Sequence, residues 1–269
     1  MPLVTEHAAA LPGGYRHVVL SPHLDDAALS CGGLIARATA AGEPVLVVNV
    51  CSGSPPPDAP FSPFAQSLHE RWGLPPATVV AQRRVEDAAA LRILGADALL
   101  WPALDAIYRQ PDAYFDETSL FAVPAGDDPL AADVADLVAM LAQRYPAAAF
   151  YLPLAVGMHV DHQLVFAAAT AALLARGAAC FYYEDFPYAR TAGAVAQRLA
   201  MIGQERYAPH SIPLDEPALS AKIAAIAAYA SQLGVLFGGA AAMPAAVIAY
   251  AEQVASPPLR YAERLWVRL

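Results

Sequence analysis

The 269 residues are poor in charge, with Asp, Glu, Lys and Arg making up only 15% of the chain, and they carry no block of lysine or arginine. With a formal net charge of −9, the sequence argues against nucleic acid or an anionic membrane as a partner, since both reward clustered positive charge. Only three cysteines occur, Cys31, Cys51 and Cys180, and no CxxC pair. Neither a disulfide framework nor a thiolate zinc site is therefore indicated, and each cysteine reads as a small buried residue. The stretch from Met1 to Tyr15 has neither a basic n-region nor a compact apolar h-region, so no secretory signal is expected and a reducing, cytoplasmic setting follows. The paired glycines never form GxGxxG, which removes the usual support for dinucleotide binding.

A strongly hydrophobic long run is also missing. Residues Ile223 to Ala251 contain no charged side chain, but the run is mostly alanine and is interrupted by Ser231, Gln232, Gly234, Gly238, Gly239 and Pro244. Alanine favours helix while being only weakly hydrophobic, so two alanine-rich helices joined by a glycine loop are expected rather than a membrane span. They lie in an alanine-rich C-terminal part, 215–255, which could serve as a homo-oligomer interface.

What the chain does contain is apolar residues, 57% of the total, in a repeating order. Strand-like runs at His17–Ser21, Pro44–Cys51, Ala98–Trp101, Ala149–Leu152 and Ala179–Glu184 alternate with helical patterns near 26–41, 81–94, 128–144 and 161–176. This alternation predicts βαβ units, hence a single α/β domain with a mainly parallel sheet and helices on both faces. Two irregular stretches, Ser52–Pro63 and Pro111–Pro129, are long enough to form functional rims.

Two polar clusters sit where such a sheet binds ligands, beyond the carboxyl ends of strands. The first is Ser21-Pro22-His23-Leu24-Asp25-Asp26 and the second His159-Val160-Asp161-His162. His23 and Asp26 are three apart, so one helical turn can direct both to one centre, with Asp25 directed elsewhere. A catalytic zinc takes three protein ligands and leaves a position for water. His23, Asp26 and His162 make such a set of nitrogen and oxygen donors, suited to zinc or another first-row divalent ion. Asp25 and His159 remain as the two groups that metal-assisted hydrolysis needs, and Asp161 is placed to orient a histidine. The blander reading is that Asp25 or Asp26 merely caps a helix and the histidines face solvent.

The pattern PHLDD…GG (Gly32-Gly33) followed by HxDH resembles the PIG-L/LmbE-like zinc deacetylases. The resemblance extends through Arg83-Arg84-Val85-Glu86, Leu94-Gly95 and Tyr183-Glu184-Asp185 with Pro187-Tyr188, roughly residues 16 to 190. It implies a Rossmann-like fold with zinc on His23, Asp26 and His162. It further implies Asp25 as general base and His159 as the residue that stabilises the oxyanion and assists the leaving amine. Arg83 and Asp105 are implied contacts to substrate, and Glu184 with Asp185, ending a strand on the functional edge, are candidate rim contacts. The implied reaction is hydrolysis of an N-acyl group, in the first instance N-acetyl, on a small amino sugar or glycoconjugate. Leu24 and Ala27 depart from the commoner HPDDE form, but neither is an implied ligand.

Two rivals have distinct signatures. A metal-dependent phosphoesterase would need clustered cations such as Arg83, Arg84 and Arg109, or a second metal. A catalytically silent carbohydrate-binding member would not need all five site residues.

Overall fold

The computed structural model describes residues 1–56 and 58–269; Pro57, inside the proline-rich loop expected over Ser52–Pro63, lies outside the described residues. The first half runs β1 (Val4–Thr5), β2 (His17–Ser21), α1 (Asp26–Ala40), β3 (Val45–Asn49), α2 (Pro63–Trp72), α3 (Val79–Leu94) and β4 (Asp97–Leu100). Next come two short helices, α4 (Ala106–Arg109) and α5 (Glu117–Leu120), then α6 (Leu130–Arg144), β5 (Ala149–Pro153), α7 (Val160–Leu174) and β6 (Cys180–Tyr183). The last part holds α8 (Ala194–Ile202), β7 (Tyr207–Leu214), α9 (Glu216–Ala227), α10 (Ala230–Phe237), α11 (Met243–Val254) and β8 (Tyr261–Arg268).

All eight strands join one sheet in the order β1-β4-β3-β2-β5-β6-β8-β7. The pairings from β1 to β6 are parallel; β8 pairs antiparallel with β6 and with β7. The strand patterns explain the layers. In β2, Val18 and Leu20 enter one core with the α6 and α7 side chains, while Val19 enters the other with α1, α3 and α9. A strand buried on both faces needs an unbroken apolar run, which β2 and β3 supply.

The chain moves from β2 outward through β3 to β4, then returns to place β5 on the other side of β2. That reversal is a topological switch point, and it opens a crevice beyond the carboxyl ends of β2 and β5. Both polar clusters of the sequence fall at these two ends.

The C-terminal part differs from expectation. It holds three helices, because the chain breaks at Tyr229 between α9 and α10 before the glycine turn. No single helix among the described residues is long and apolar enough to cross a membrane; α9 and α10 together are, but they bend by 102°. Helix α9 spends its apolar face against α1 and α3.

Candidate functional site

The turn after β2 is held by Ser21, not by the carboxylates. Its Oγ accepts the Ala27 N–H at 3.0 Å and donates to the His23 carbonyl at 2.7 Å. Asp25 makes no capping hydrogen bond and sits at φ 144°, ψ −31°, a conformation costly for any residue with a side chain. The helix-cap reading therefore fails for Asp25. Asp26 turns inward, with Oδ2 accepting the His23 N–H at 2.8 Å. On the other side, the loop after β5 holds Ala155, Gly157 and Met158 at positive φ before His159 starts α7.

Three donor atoms converge between these turns. His23 Nδ1 lies 3.3 Å from His162 Nε2, His162 Nε2 lies 3.3 Å from Asp26 Oδ2, and Asp26 Oδ2 lies 3.5 Å from His23 Nδ1. A tetrahedral ion with ligands at about 2.0–2.1 Å needs donors about 3.3–3.4 Å apart. The residues present fit a metal ion of zinc's size. A looser group, His23, His159 and His162, has ligand atoms within 4.8 Å of one another, as does His23 with Cys51 and Asp161. The tighter triangle is the better match, and His159 is otherwise engaged: its Nδ1 accepts the Asp161 N–H at 3.2 Å. That bond leaves the proton of the neutral ring on Nε2, as a donor.

Carboxylates orient both facing histidines. Asp161 Oδ2 stands 2.9 Å from His23 Nε2, and Asp161 is itself fixed by the Ala106 N–H (3.1 Å) and Arg109 Nη2 (2.6 Å). Asp185 Oδ1 stands 2.7 Å from His162 Nδ1, while its Oδ2 accepts the Val156 N–H at 2.8 Å. Carboxylate–histidine pairing of this kind fixes ring orientation and raises ligand basicity. The charges follow the same pattern. Burial opposes the charge on His23, but Asp105, Asp161 and Asp26 outweigh it and hold its pKa well above the usual range. His162 is likewise raised to about 9, burial being outweighed by Asp26 and Asp185. Burial, assisted by His23, pushes His159 well below the ordinary imidazole value. Burial also lifts Asp25 to about 7, against the lowering effect of Arg83. The centre is thus rich in buried negative charge, a setting that favours a cation.

His23, Asp25, Asp26, Arg83, Asp105 and His159 all face a cavity of about 640 Å³. Arg83 bonds the Leu24 carbonyl at 3.1 Å and Asp25 Oδ2 at 3.3 Å, so its guanidinium fixes Asp25 as well as the wall. Asp105 caps α4 through Oδ1, with Oδ2 3.6 Å from His23 Nε2.

Glu184 requires a correction. It does not line this cavity, because its carboxylate is buried against Tyr250, Arg264 (2.6 and 3.2 Å) and the Trp266 indole N–H (2.8 Å), tying β6 to β8 and α11. Its neighbour Asp185 is the one that reaches the site. Tyr188, part of the family resemblance but given no place at the site by the sequence, lines the cavity with its ring against Gly157; a Cβ there would come within 2.6 Å of the ring. The glycine before HxDH was the available signal.

Buried imidazoles and carboxylates at the switch point of a parallel sheet define an α/β protein with a candidate metal centre. Residues 18–173 match the family described as GlcNAc-PI de-N-acetylase, and the chain belongs to that PIG-L family. It is similar to a 2'-N-acetylparomamine deacetylase of Streptomyces fradiae, 36% identical over 182 residues, which are 67% of this chain. The matched segment spans only 60% of that enzyme's length. Solved structures extend the likeness. The A40926 pseudoaglycone deacetylase superposes with a TM-score of 0.75 at 31% identity, covering 95% of this chain and 98% of the other. A zinc-inhibited form of teicoplanin deacetylase gives 0.78 at 31%, covering 94% and 98%.

Proposed function

We propose that the protein is a zinc-dependent N-deacetylase that removes an acetyl group from an amino sugar within a larger metabolite. The observation that carries this reading is the 3.3–3.5 Å triangle of His23 Nδ1, Asp26 Oδ2 and His162 Nε2, with Asp25 and His159 beside it on the wall of one cavity. The acetylated amino sugars and glycopeptide pseudoaglycone in the names of similar proteins support the substrate class.

In this reading His23, Asp26 and His162 hold the ion, which when bound acidifies a water and polarises the amide carbonyl. Asp25, fixed by Arg83, accepts a proton from the attacking water. As the water oxygen bonds to the carbonyl carbon, His159 directs its Nε2–H toward the carbonyl oxygen, where negative charge develops. The C–N bond then breaks, and the nitrogen leaves as the free amine with the proton that Asp25 took from the water, beside acetate. Asp161 and Asp185 keep the two facing imidazoles in register throughout.

The phosphoesterase rival loses its cations. Arg109 is committed to Asp128 and Asp161, and Arg84 to Glu6 and the Ser52 carbonyl. Only Arg83 of the three lines the cavity. The test is detection of free amine from N-acetylglucosamine glycosides by zinc-loaded protein. Amine release supports the proposal, while phosphate release from nitrophenyl phosphate without amine release contradicts it.

A further inference from the structure

Arg109, on the four-residue helix α4, does not line the cavity, and its side chain is almost wholly buried. Its Nε and Nη2 donate to the two oxygens of Asp128 at 2.7 and 2.8 Å, a forked pair, and Nη2 donates again to Asp161 Oδ1 at 2.6 Å. Both carboxylates are fully buried, so two negative charges share one guanidinium. The next group along is His23, whose Nε2 stands 2.9 Å from Asp161 Oδ2.

The other end of this chain of contacts holds the irregular segment 111–129. Asp128 accepts the Tyr114 hydroxyl at 2.7 Å and the Leu130 N–H at 2.9 Å, and the Tyr114 oxygen accepts the Ala125 N–H at 3.1 Å. Little else secures the segment. Its one helix is α5, of four residues, and its buried apolar side chains are Tyr114 and Leu120, while Phe115 and Val123 are exposed. A stretch with so few buried contacts opens locally at low cost. The same segment sets Phe121 edge-on against His159, with ring centroids 5.3 Å apart.

We propose that Arg109 is a positioning residue that couples segment 111–129 to the metal ligand His23. The proposal rests on the metal reading of His23, Asp26 and His162 and is independent of the acyl group removed. A cation held by His23 offsets the negative charge that Arg109 leaves unbalanced, so Asp161, Arg109 and Asp128 are all held more firmly in place. Zinc therefore secures the anchor of the segment, and the anchored segment strengthens the hold on zinc. Coupling of this kind is reciprocal, so one factor describes both directions.

The experiment compares backbone amide exchange in metal-free and zinc-loaded protein, with zinc affinity measured by competition with a chromophoric chelator. In the wild type, zinc should slow exchange between Tyr114 and Ala125 at least about fivefold more than it slows exchange in the edge strand β7. Asp128→Asn keeps the shape of the side chain but loses the charge that Arg109 grips. In that variant the extra slowing should shrink to about twofold or less, and zinc affinity should fall by a factor comparable to the slowing lost. Arg109→Lys, which keeps the charge but cannot fork across Asp128, should behave alike and serves if Asp128→Asn does not fold. The wild-type comparison needs no variant. Zinc binding with uniform slowing over the whole chain, or folded variants with wild-type zinc affinity, overturns the proposal alone. A wild type that binds no stoichiometric zinc overturns the metal reading and the proposal together.

Discussion

His23 and His162 meet across the switch point of the sheet, Nδ1 to Nε2 at 3.3 Å, although 139 positions separate them in the chain. Each is backed on its other nitrogen by a buried aspartate, Asp161 for His23 and Asp185 for His162. Two imidazoles turned toward each other this closely, with Asp26 at the third corner, are the geometry on which the proposed ligand set rests.

In the proposed site His159 stands apart from the three ligands. His159→Ala should retain one equivalent of zinc, by elemental analysis, while kcat for amine release falls about 10²–10⁴-fold. Loss of the metal in this variant would instead favour the His23, His159 and His162 grouping.

Asp185 gives a second prediction. In Asp185→Asn the His162 ring keeps a neighbour of the same shape but loses the charge that raises its basicity. Zinc affinity, measured by competition with a chromophoric chelator, should fall about 10–100-fold with the fold intact. An unchanged affinity would remove Asp185 from the centre.

Glu184 should behave as a structural residue. Glu184→Gln weakens the bonds to Arg264 and Tyr250 at once, so denaturant melts should show a loss of about 1–3 kcal/mol. The folded variant should keep its kcat/KM for amine release. A large fall in kcat/KM at unchanged stability would restore Glu184 to the substrate site.

Asp87, one turn beyond Arg83 on α3, supplies a pH signature outside the proposed ligand set. Burial raises its pKa to about 6, against the hydrogen bonds from Tyr229 (2.8 Å) and Asn49 (2.7 Å). A carboxyl raised in the folded state favours folding most at low pH, and this contribution fades as pH rises from about 4 through about 6, by up to about 3 kcal/mol. Asp87→Asn removes the titration, and the Asn49 Oδ1, which has no partner among the described residues, offers the new amide an acceptor. The variant's Tm relative to wild type should therefore climb between pH 4.5 and pH 7. A difference that stays flat across this range would contradict the assignment.

Much of this was legible in the sequence because the chemistry follows directly on strands that are apolar throughout. HVVLS before His23 and AFYLP before the second cluster mark β2 and β5, and the clusters fall at their ends. Strands β7 and β8 were not read. β7 carries Pro209 and Pro213, tolerated because it is the sheet's edge, and β8 carries Glu263, Arg264 and Arg268, charges that hide a strand. Glu184 and Asp185 stand as equal rim candidates in the sequence, and only Asp185 reaches the site. Strand β6 ends at Tyr183, and beyond a strand's end the alternation of side chains no longer says which residue points to the crevice. The pairing of Gly157 with Tyr188 was out of reach for another reason, since it joins two loops that only the folded sheet brings together.

Amine release from an N-acetylated glucosamine glycoside, followed while zinc is titrated into metal-free protein, decides whether the His23, Asp26 and His162 centre drives the reaction. Activity should rise in proportion to bound zinc, saturate at one equivalent per chain, and be absent in His162→Ala, which should bind no stoichiometric metal. Full activity in metal-free protein, or in His162→Ala, would contradict it.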